Sequence, residues 1–182
     1  MSGVMASSPV STLQAALLLL VTILSAGTDL WKGRIYNAVT YPAIVAGFAV
    51  QLYLHGSSGL SAATTGFAVG FFPALLLFAA GGLGGGDVKL MGAIGTIVGA
   101  IPATETLVIA CLFGCVAALG KLAWRGTLFR TMFSSLWSLV RFRMPTPPKG
   151  MERLELRFGA VICIAALATL WDLEAGALAR LL

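Results

Sequence analysis

Residues 84–91, with the sequence GGGDVKLM, decide the fold of this chain, because they open an apolar run that is short for a membrane span. A membrane-spanning helix needs about 20 residues, with a range of roughly 17 to 25. Extended back to Gly84, the run covers 84–101 and is long enough, provided that the glycine backbone lines a protein interior and does not face lipid. Whether this run crosses decides which membrane face every later segment reaches.

The composition of the whole chain is that of a membrane protein. Of the 182 residues, 58% are hydrophobic and 10% are charged, and the mean hydropathy is +0.94. These values exclude a soluble globular domain of this size. Polar residues bound six apolar runs, which we predict as transmembrane helices at about 13–27, 39–54, 62–80, 84–101, 103–122 and 158–170. We expect an all-α membrane protein with a single domain, residues 1–182.

The distribution of basic residues supports a crossing at 84–101. With six crossings, every Lys and Arg except Arg180 falls on one side of the membrane, whereas omitting this run separates the basic groups of the two main polar loops. The positive-inside rule names the basic side as cytoplasmic and places both chain ends outside. The net charge of +5 then reflects topology and contact with anionic lipid, and no nucleic-acid partner is expected.

Two segments outside these runs complete the organisation. Residues 1–12 contain no Lys or Arg, so the first run lacks the basic region of a signal peptide and we expect it to be retained as a span. Residues 127–143 carry apolar side chains at helical spacing with polar side chains opposite. This pattern predicts an amphipathic helix in the cytoplasmic interface, either a plain surface anchor or a substrate-docking element.

The sequence holds no pattern typical of a metal or cofactor site. Cys111 and Cys115 are four residues apart inside one predicted span, Cys163 lies in another, and there is no C-x-x-C pair. The single histidine, His55, sits in a short outer loop without partners. We therefore expect no metal and no cofactor, and nucleophilic triads that need a histidine base are not supported.

Two acids at the ends of apolar runs are the candidate functional residues. Asp87 follows three glycines, a position where an aspartate also caps a helix N-terminus. Asp29 ends the first run, where the helix dipole disfavours a negative charge, although pairing with Lys32 or Arg34 is an alternative. Ionisable residues within membrane segments are usually functional. Because the intervening segments return the chain to the same face, we expect the two carboxylates to meet at one depth.

Two neighbouring aspartates suit the hydrolysis of an amide bond. Burying both as anions is costly, since each opposes insertion by about 2.5 to 3.5 kcal/mol and the two repel each other. One shared proton relieves the repulsion and leaves one carboxylate ionised and the other neutral. The ionised member can then take a proton from water, while the neutral member supports the oxyanion and protonates the leaving nitrogen. No metal is needed for this chemistry.

The residues around Asp87 are candidates for substrate binding. Gly84, Gly85 and Gly86 leave the backbone bare, so that an extended peptide could run beside it, although a flexible loop leading into a helix has the same composition. Lys89 could hold one carboxylate ionised or contact substrate. A lysine that only reaches towards the membrane interface is an equally good interpretation.

These residues resemble the type IV prepilin peptidases, membrane aspartic proteases with a G-x-G-D motif. Residues 84–91 are similar to the second catalytic motif of that family, and Asp29 followed by RIYN at 34–37 is similar to the first. The resemblance covers nearly the whole chain. It implies that Asp29 and Asp87 form the catalytic pair on the cytoplasmic side of a bacterial inner membrane.

The chain departs from the family pattern at three places. Tyr36 stands where a proline usually follows the isoleucine, and 157–160, with the sequence RFGA, replaces a segment that commonly contains proline. We assign no role to that second segment. Longer family members carry an N-terminal cytoplasmic domain with paired C-x-x-C cysteines. This sequence begins at the first run, so we expect the chain to resemble the short subgroup associated with tight-adherence Flp pili. This likeness implies cleavage without N-methylation.

The resemblance implies a prepilin or pseudopilin substrate, whose short basic leader lies in the cytoplasm and whose apolar helix lies in the membrane. A cut just after the leader would fall within reach of a site at the inner face. Another class of function explains part of the pattern: a small cation- or proton-coupled transporter with Asp87 at a glycine-broken helix. That alternative does not explain the second acid, nor the scarcity of polar residues along the spans.

Overall fold

The computed structural model describes residues 11–80, 82–124 and 158–179, and the elements in those ranges are α-helices. In chain order they are α1 (Thr12–Lys32), α2 (Asn37–Ala79), α3 (Gly85–Val98), α4 (Ala100–Trp124) and α5 (Phe158–Ala179). The expected all-α class is confirmed. The predicted interfacial helix at 127–143 lies outside the described residues.

The described helices are apolar enough for a membrane protein. Three are both long and apolar enough to cross a bilayer: α1, α2 and, within α4, Ala100–Ala117. The apolar part of α5, Phe158–Leu173, is shorter, and α3 has 14 residues. Membrane character is therefore supported, while the crossing count of six stays a prediction.

Helix α2 is long because it contains a reversal. Its 43 residues would extend about 65 Å as one straight helix, roughly twice the hydrocarbon thickness of a bilayer. The backbone leaves the helical region at Gly56, with φ 61° and ψ −137°. Gly47 before this break lies against Thr96 of α3, and Gly66 after it lies against Gly95 of α3. Both halves thus reach the same level of α3, and they correspond to the two apolar runs predicted there.

Helix α3 forms the buried centre of the fold. Four of its large apolar side chains are completely buried: Leu90, Met91, Ile94 and Ile97. Its backbone approaches α2 closely, since a Cβ on Gly66 would overlap the Gly95 carbonyl and one on Gly70 would overlap the Met91 carbonyl. Small residues allow this close approach. Between helices in lipid, van der Waals packing of this kind drives association, because the hydrophobic effect does not.

The boundary between α3 and α4 lies at Gly99, whereas the predicted runs divide at Pro102. Gly99 has φ 86°, a conformation that glycine adopts without strain. Pro102 lies in the first turn of α4, where its missing N–H has no helical partner to lose. The Ile97 carbonyl near the end of α3 accepts 3.0 Å hydrogen bonds from Nε2 of Gln14 and of Gln51. Polar side chains of α1 and α2 therefore hold the C-terminal end of α3.

The chain divides into two compact units by its internal contacts. One contains residues 1–110 and 157–182, and the other contains residues 111–156. The first holds α1, α2, α3, α5 and the beginning of α4. Of the second, the structure describes only 111–124, the remainder of α4. The single-domain organisation stays a prediction, because most of the second unit lies outside the described residues.

Candidate active site

Asp29 lies on the buried face of α1, one turn before the helix ends. That face recurs at helical spacing through Leu18, Thr22 and Ser25, and it carries Asp29 into the interior, where the residue is 6% exposed. The helix ends at Gly33, whose left-handed backbone (φ 66°) lets its N–H donate to the Asp29 carbonyl at 2.9 Å. The Asp29 Oδ2 atom is buried and has no hydrogen-bond partner in the described part of the chain.

Asp87 lies in the first turn of α3 and is 7% exposed. Its Oδ2 atom accepts a hydrogen bond of 3.0 Å from the backbone N–H of Gly84, the residue that precedes the helix. Asp87 therefore contributes to the helix cap from the third residue of α3, and the residue directly before the helix is Gly84. The hydrogen bond fixes the carboxyl group at the start of α3, so capping and a catalytic role are compatible.

The segments that carry the two acids meet in the structure. A Cβ on Gly86 would lie 2.9 Å from the Ile35 Cβ and 3.3 Å from the Ile35 carbonyl oxygen. The start of α3 thus packs directly against the turn between α1 and α2. Asp87 directly follows Gly86, and Asp29 lies in the last turn of α1 before Ile35. The contact therefore packs the two segments that carry the acids against each other.

The turn at Tyr36 keeps an extended backbone without a proline. Tyr36 has φ −82° and ψ 138° and precedes the first residue of α2. A proline would hold φ near −65°, within about 15°, so the tyrosine adopts a closely similar conformation. Lys32 Nζ lies 5.4 Å from the centre of its ring, a cation–π contact that ties the end of α1 to this turn.

Gly159 of α5 is a site residue to which the sequence reasoning gave no role. A Cβ at this position would lie 2.9 Å from Oδ2 of Asp29 and 3.0 Å from both its Cβ and its Cγ. The missing side chain therefore makes room for the Asp29 carboxyl group. The two residues are far apart in the sequence, and a glycine within an apolar run gives no signal of such a contact.

Lys89 is anchored by α2. Its Nζ donates a hydrogen bond of 2.8 Å to Oδ1 of Asn37 and lies 5.0 Å from the centre of the Tyr41 ring. Because Asn37 begins α2 and Lys89 follows Asp87 by two residues, these contacts join α2 to the site. The sequence reasoning placed Asn37 in the first motif without giving it a role and did not single out Tyr41; both side chains contact the lysine.

The three glycines before Asp87 differ in their surroundings. Gly84 and Gly85 are exposed, whereas Gly86 is partly buried against Ile35. A Cβ on Gly85 would reach only the Phe78 ring, at 3.7 Å. Packing against the turn thus accounts for the lack of a side chain at Gly86. The open backbone is limited to Gly84 and Gly85.

A pocket of about 220 Å³ lies at the other end of α3. Its lining includes Gln14, Gln51, His55 and Gly99, and His55 Nδ1 is 3.1 Å from the Gln51 Oε1 atom. The 14 residues of α3 separate this pocket from Asp87 by about 20 Å. The pocket therefore does not contain the two acids. Among the described residues, no group of three His, Cys, Asp or Glu side chains could hold a metal ion.

Comparison with known proteins identifies the family. Comparison with curated proteins and with solved structures finds no match. The chain does match the type IV leader peptidase family over residues 16–119, a range that contains Asp29 and Asp87 and exceeds half of the 182 residues. The protein therefore belongs to the type IV leader peptidase family, and membership of that family makes it a protease that acts on a precursor.

Proposed function

We propose that the protein is an aspartic endopeptidase that removes the short leader of prepilin or pseudopilin precursors at the cytoplasmic face of a bacterial inner membrane. The observation that supports this proposal is the burial of two acids, Asp29 and Asp87, on segments that pack against each other. Family membership supports peptide hydrolysis. The chemistry follows from one proton shared between the two carboxyl groups.

In the proposed reaction, the ionised carboxylate takes a proton from water as the water oxygen bonds to the scissile carbonyl carbon. The neutral carboxyl group donates a hydrogen bond to the developing oxyanion and then protonates the leaving nitrogen as the C–N bond breaks. Burial strengthens both steps, because charges interact more strongly where water is excluded. Gly159 supports this chemistry by leaving space for the Asp29 carboxyl group.

The proposed substrate contacts are the backbone of Gly84, Gly85 and Gly86 and the ammonium group of Lys89. The first N–H groups of a helix have no partner within it, and the exposed backbone at Gly85 can offer its N–H to an extended peptide. Gly86 contributes mainly by packing on Ile35. The Lys89 ammonium group is held by Asn37 and Tyr41.

The proposed topology has six crossings, with both acids near the cytoplasmic face and both chain ends outside. The reversal of α2 at Gly56 supports it, because α2 then supplies two crossings. We further propose that cleavage occurs without N-methylation, as in the short Flp-type subgroup that the sequence resembles. A transporter with Asp87 as its ion site is less well supported, since the inward side chains of α3 beyond Asp87 are mostly apolar.

Leader removal in a strain that expresses the chain together with a candidate prepilin tests the proposal. Asp29→Asn and Asp87→Asn should each abolish cleavage while the protein still accumulates in the membrane. Asp172→Asn is the matched control, because Asp172 is an exposed aspartate of α5, and it should cleave like the wild type. Normal cleavage by either site variant would refute the pair. The mass of the mature pilin should show no added methyl group.

A further inference from the structure

Two buried hydroxyl groups differ from most of the hydroxyls in the described helices. Ten serine and threonine side chains donate to a carbonyl about one turn earlier in their own helix: Thr22, Thr28, Ser58, Ser61, Thr64, Thr65, Thr96, Thr104, Thr106 and Thr169. Ser25 and Thr40 are completely buried, yet their hydroxyl oxygens have no partner within the described residues. Among the described residues, Asp29 Oδ2 is the third buried side-chain oxygen that has no hydrogen-bond partner.

The three oxygen atoms belong to α1 and α2, on either side of one short connection. Ser25 lies four residues before Asp29, so the two share the buried face of α1 and are one turn apart. Asp29 lies about one turn before the connection between α1 and α2, and Thr40 lies about one turn after it. Asp29 and Thr40 are therefore at similar depth. Thr40 also shares a face with Gly47, which contacts α3, the helix that begins with Asp87.

Buried polar atoms are almost always hydrogen-bonded, because leaving them without a partner costs free energy. A buried water usually satisfies such atoms, and it typically makes about three hydrogen bonds. Two hydroxyl groups and one carboxylate oxygen match this requirement in number and in chemistry. A hydroxyl can donate or accept, whereas an ionised carboxylate only accepts, so the water can donate to Asp29 while the hydroxyls orient it.

We propose that Ser25, Thr40 and the Asp29 Oδ2 atom form a water-binding site, and that its water is the nucleophile of the peptidase. This inference rests on the proposed function. Asp29 accepts the water proton as the water oxygen bonds to the scissile carbonyl carbon, and the neutral Asp87 protonates the nitrogen when the C–N bond breaks. Ser25 and Thr40 are positioning residues. They hold the water beside Asp29 in the orientation that attack on the carbonyl carbon requires.

Kinetics of the purified full-length protein in lipid nanodiscs with a prepilin substrate test this role. Ser25→Ala and Thr40→Val should each lower kcat by about 10- to 100-fold, because the water loses its orientation, and KM should not change. The double variant should be little worse than the poorer single variant, since both residues act on one water. Thr40→Ser keeps the hydroxyl and should retain most of the wild-type kcat.

The matched control is Thr22→Val, which removes a completely buried hydroxyl from the same helix as Ser25. The Thr22 hydroxyl already donates to the Leu18 carbonyl at 2.7 Å, so this variant should keep its kcat. A wild-type kcat in both Ser25→Ala and Thr40→Val would overturn the proposal. A fall in kcat that only follows a fall in folded protein, without rescue by Thr40→Ser, would also overturn it.

A structure of the full chain in lipid that resolves ordered water gives a readout that needs no activity. It should show a water within about 3 Å of Ser25 Oγ, Thr40 Oγ1 and Asp29 Oδ2. Hydroxyls that instead donate to their own helix, with no water beside Asp29, would refute the binding site. If the wild type does not cleave, the proposed function fails, and this structure alone decides whether the water site exists.

Discussion

The contact between Gly159 and Asp29 allows a quantitative prediction for Gly159→Ala. The new Cβ would lie 2.9 Å from Oδ2 and 3.0 Å from Cβ and Cγ of Asp29, whereas ordinary contact begins at 3.4 Å. The shortfall is therefore about 0.5 Å. Rotation of the carboxyl group alone cannot relieve it, because the overlap includes the Asp29 Cβ. Either the whole side chain or α5 has to move.

A displacement of this size should affect activity more than stability. A misplacement of about 1 Å can cost roughly 100-fold in rate, so a shift of half that size should lower kcat by about 10-fold or somewhat more. Overpacking costs about 1 to 3 kcal/mol, and exchange of a helical glycine for alanine returns about 1 kcal/mol. The expected net loss in the free energy of unfolding is thus about 0 to 2 kcal/mol.

The assay is kcat for leader cleavage by purified protein, measured beside its thermal unfolding temperature. Gly27→Ala is the matched control, since it makes the same exchange in α1 two residues before Asp29, with no atom within 4 Å of the new Cβ. It should keep the wild-type kcat. A folded Gly159→Ala protein with wild-type kcat would show that the contact does not position Asp29. A loss that matches the fraction of unfolded protein would reduce Gly159 to a packing role.

Two further predictions concern substrate binding and helix packing. Lys89→Met removes the ammonium group that Asn37 and Tyr41 hold, and it should raise KM with kcat little changed; a wild-type KM would remove Lys89 from the substrate site. Gly66→Ala places a Cβ on the Gly95 carbonyl, so α2 and α3 must separate. The free energy of unfolding should fall by roughly 1 to 3 kcal/mol or more, which lowers the unfolding temperature. An unchanged unfolding temperature would contradict the close packing of these helices.

Much of the site could be predicted from the sequence, because the cost of burying an ion in lipid singles out a few residues. Asp29 and Asp87 are acids at the ends of apolar runs, and the structure packs the segments that carry them against each other. The four-residue spacing from Ser25 to Asp29 shows in the sequence that both residues lie on one face of α1. A serine in an apolar helix normally bonds its own backbone, however, so the spacing alone does not indicate a water site.

Hydropathy along the chain by itself determined the helical class and the membrane as solvent, because each residue is transferred into lipid largely independently of its distant neighbours. The tertiary structure alone decided which atoms each glycine packs against. Gly159 lies against Asp29, and Gly86 lies against Ile35, although no local pattern marks either pair. Those contacts depend on how α5 and α3 pack against α1 and its turn. Packing is a property of several helix surfaces at once, and it therefore cannot be inferred from any one segment.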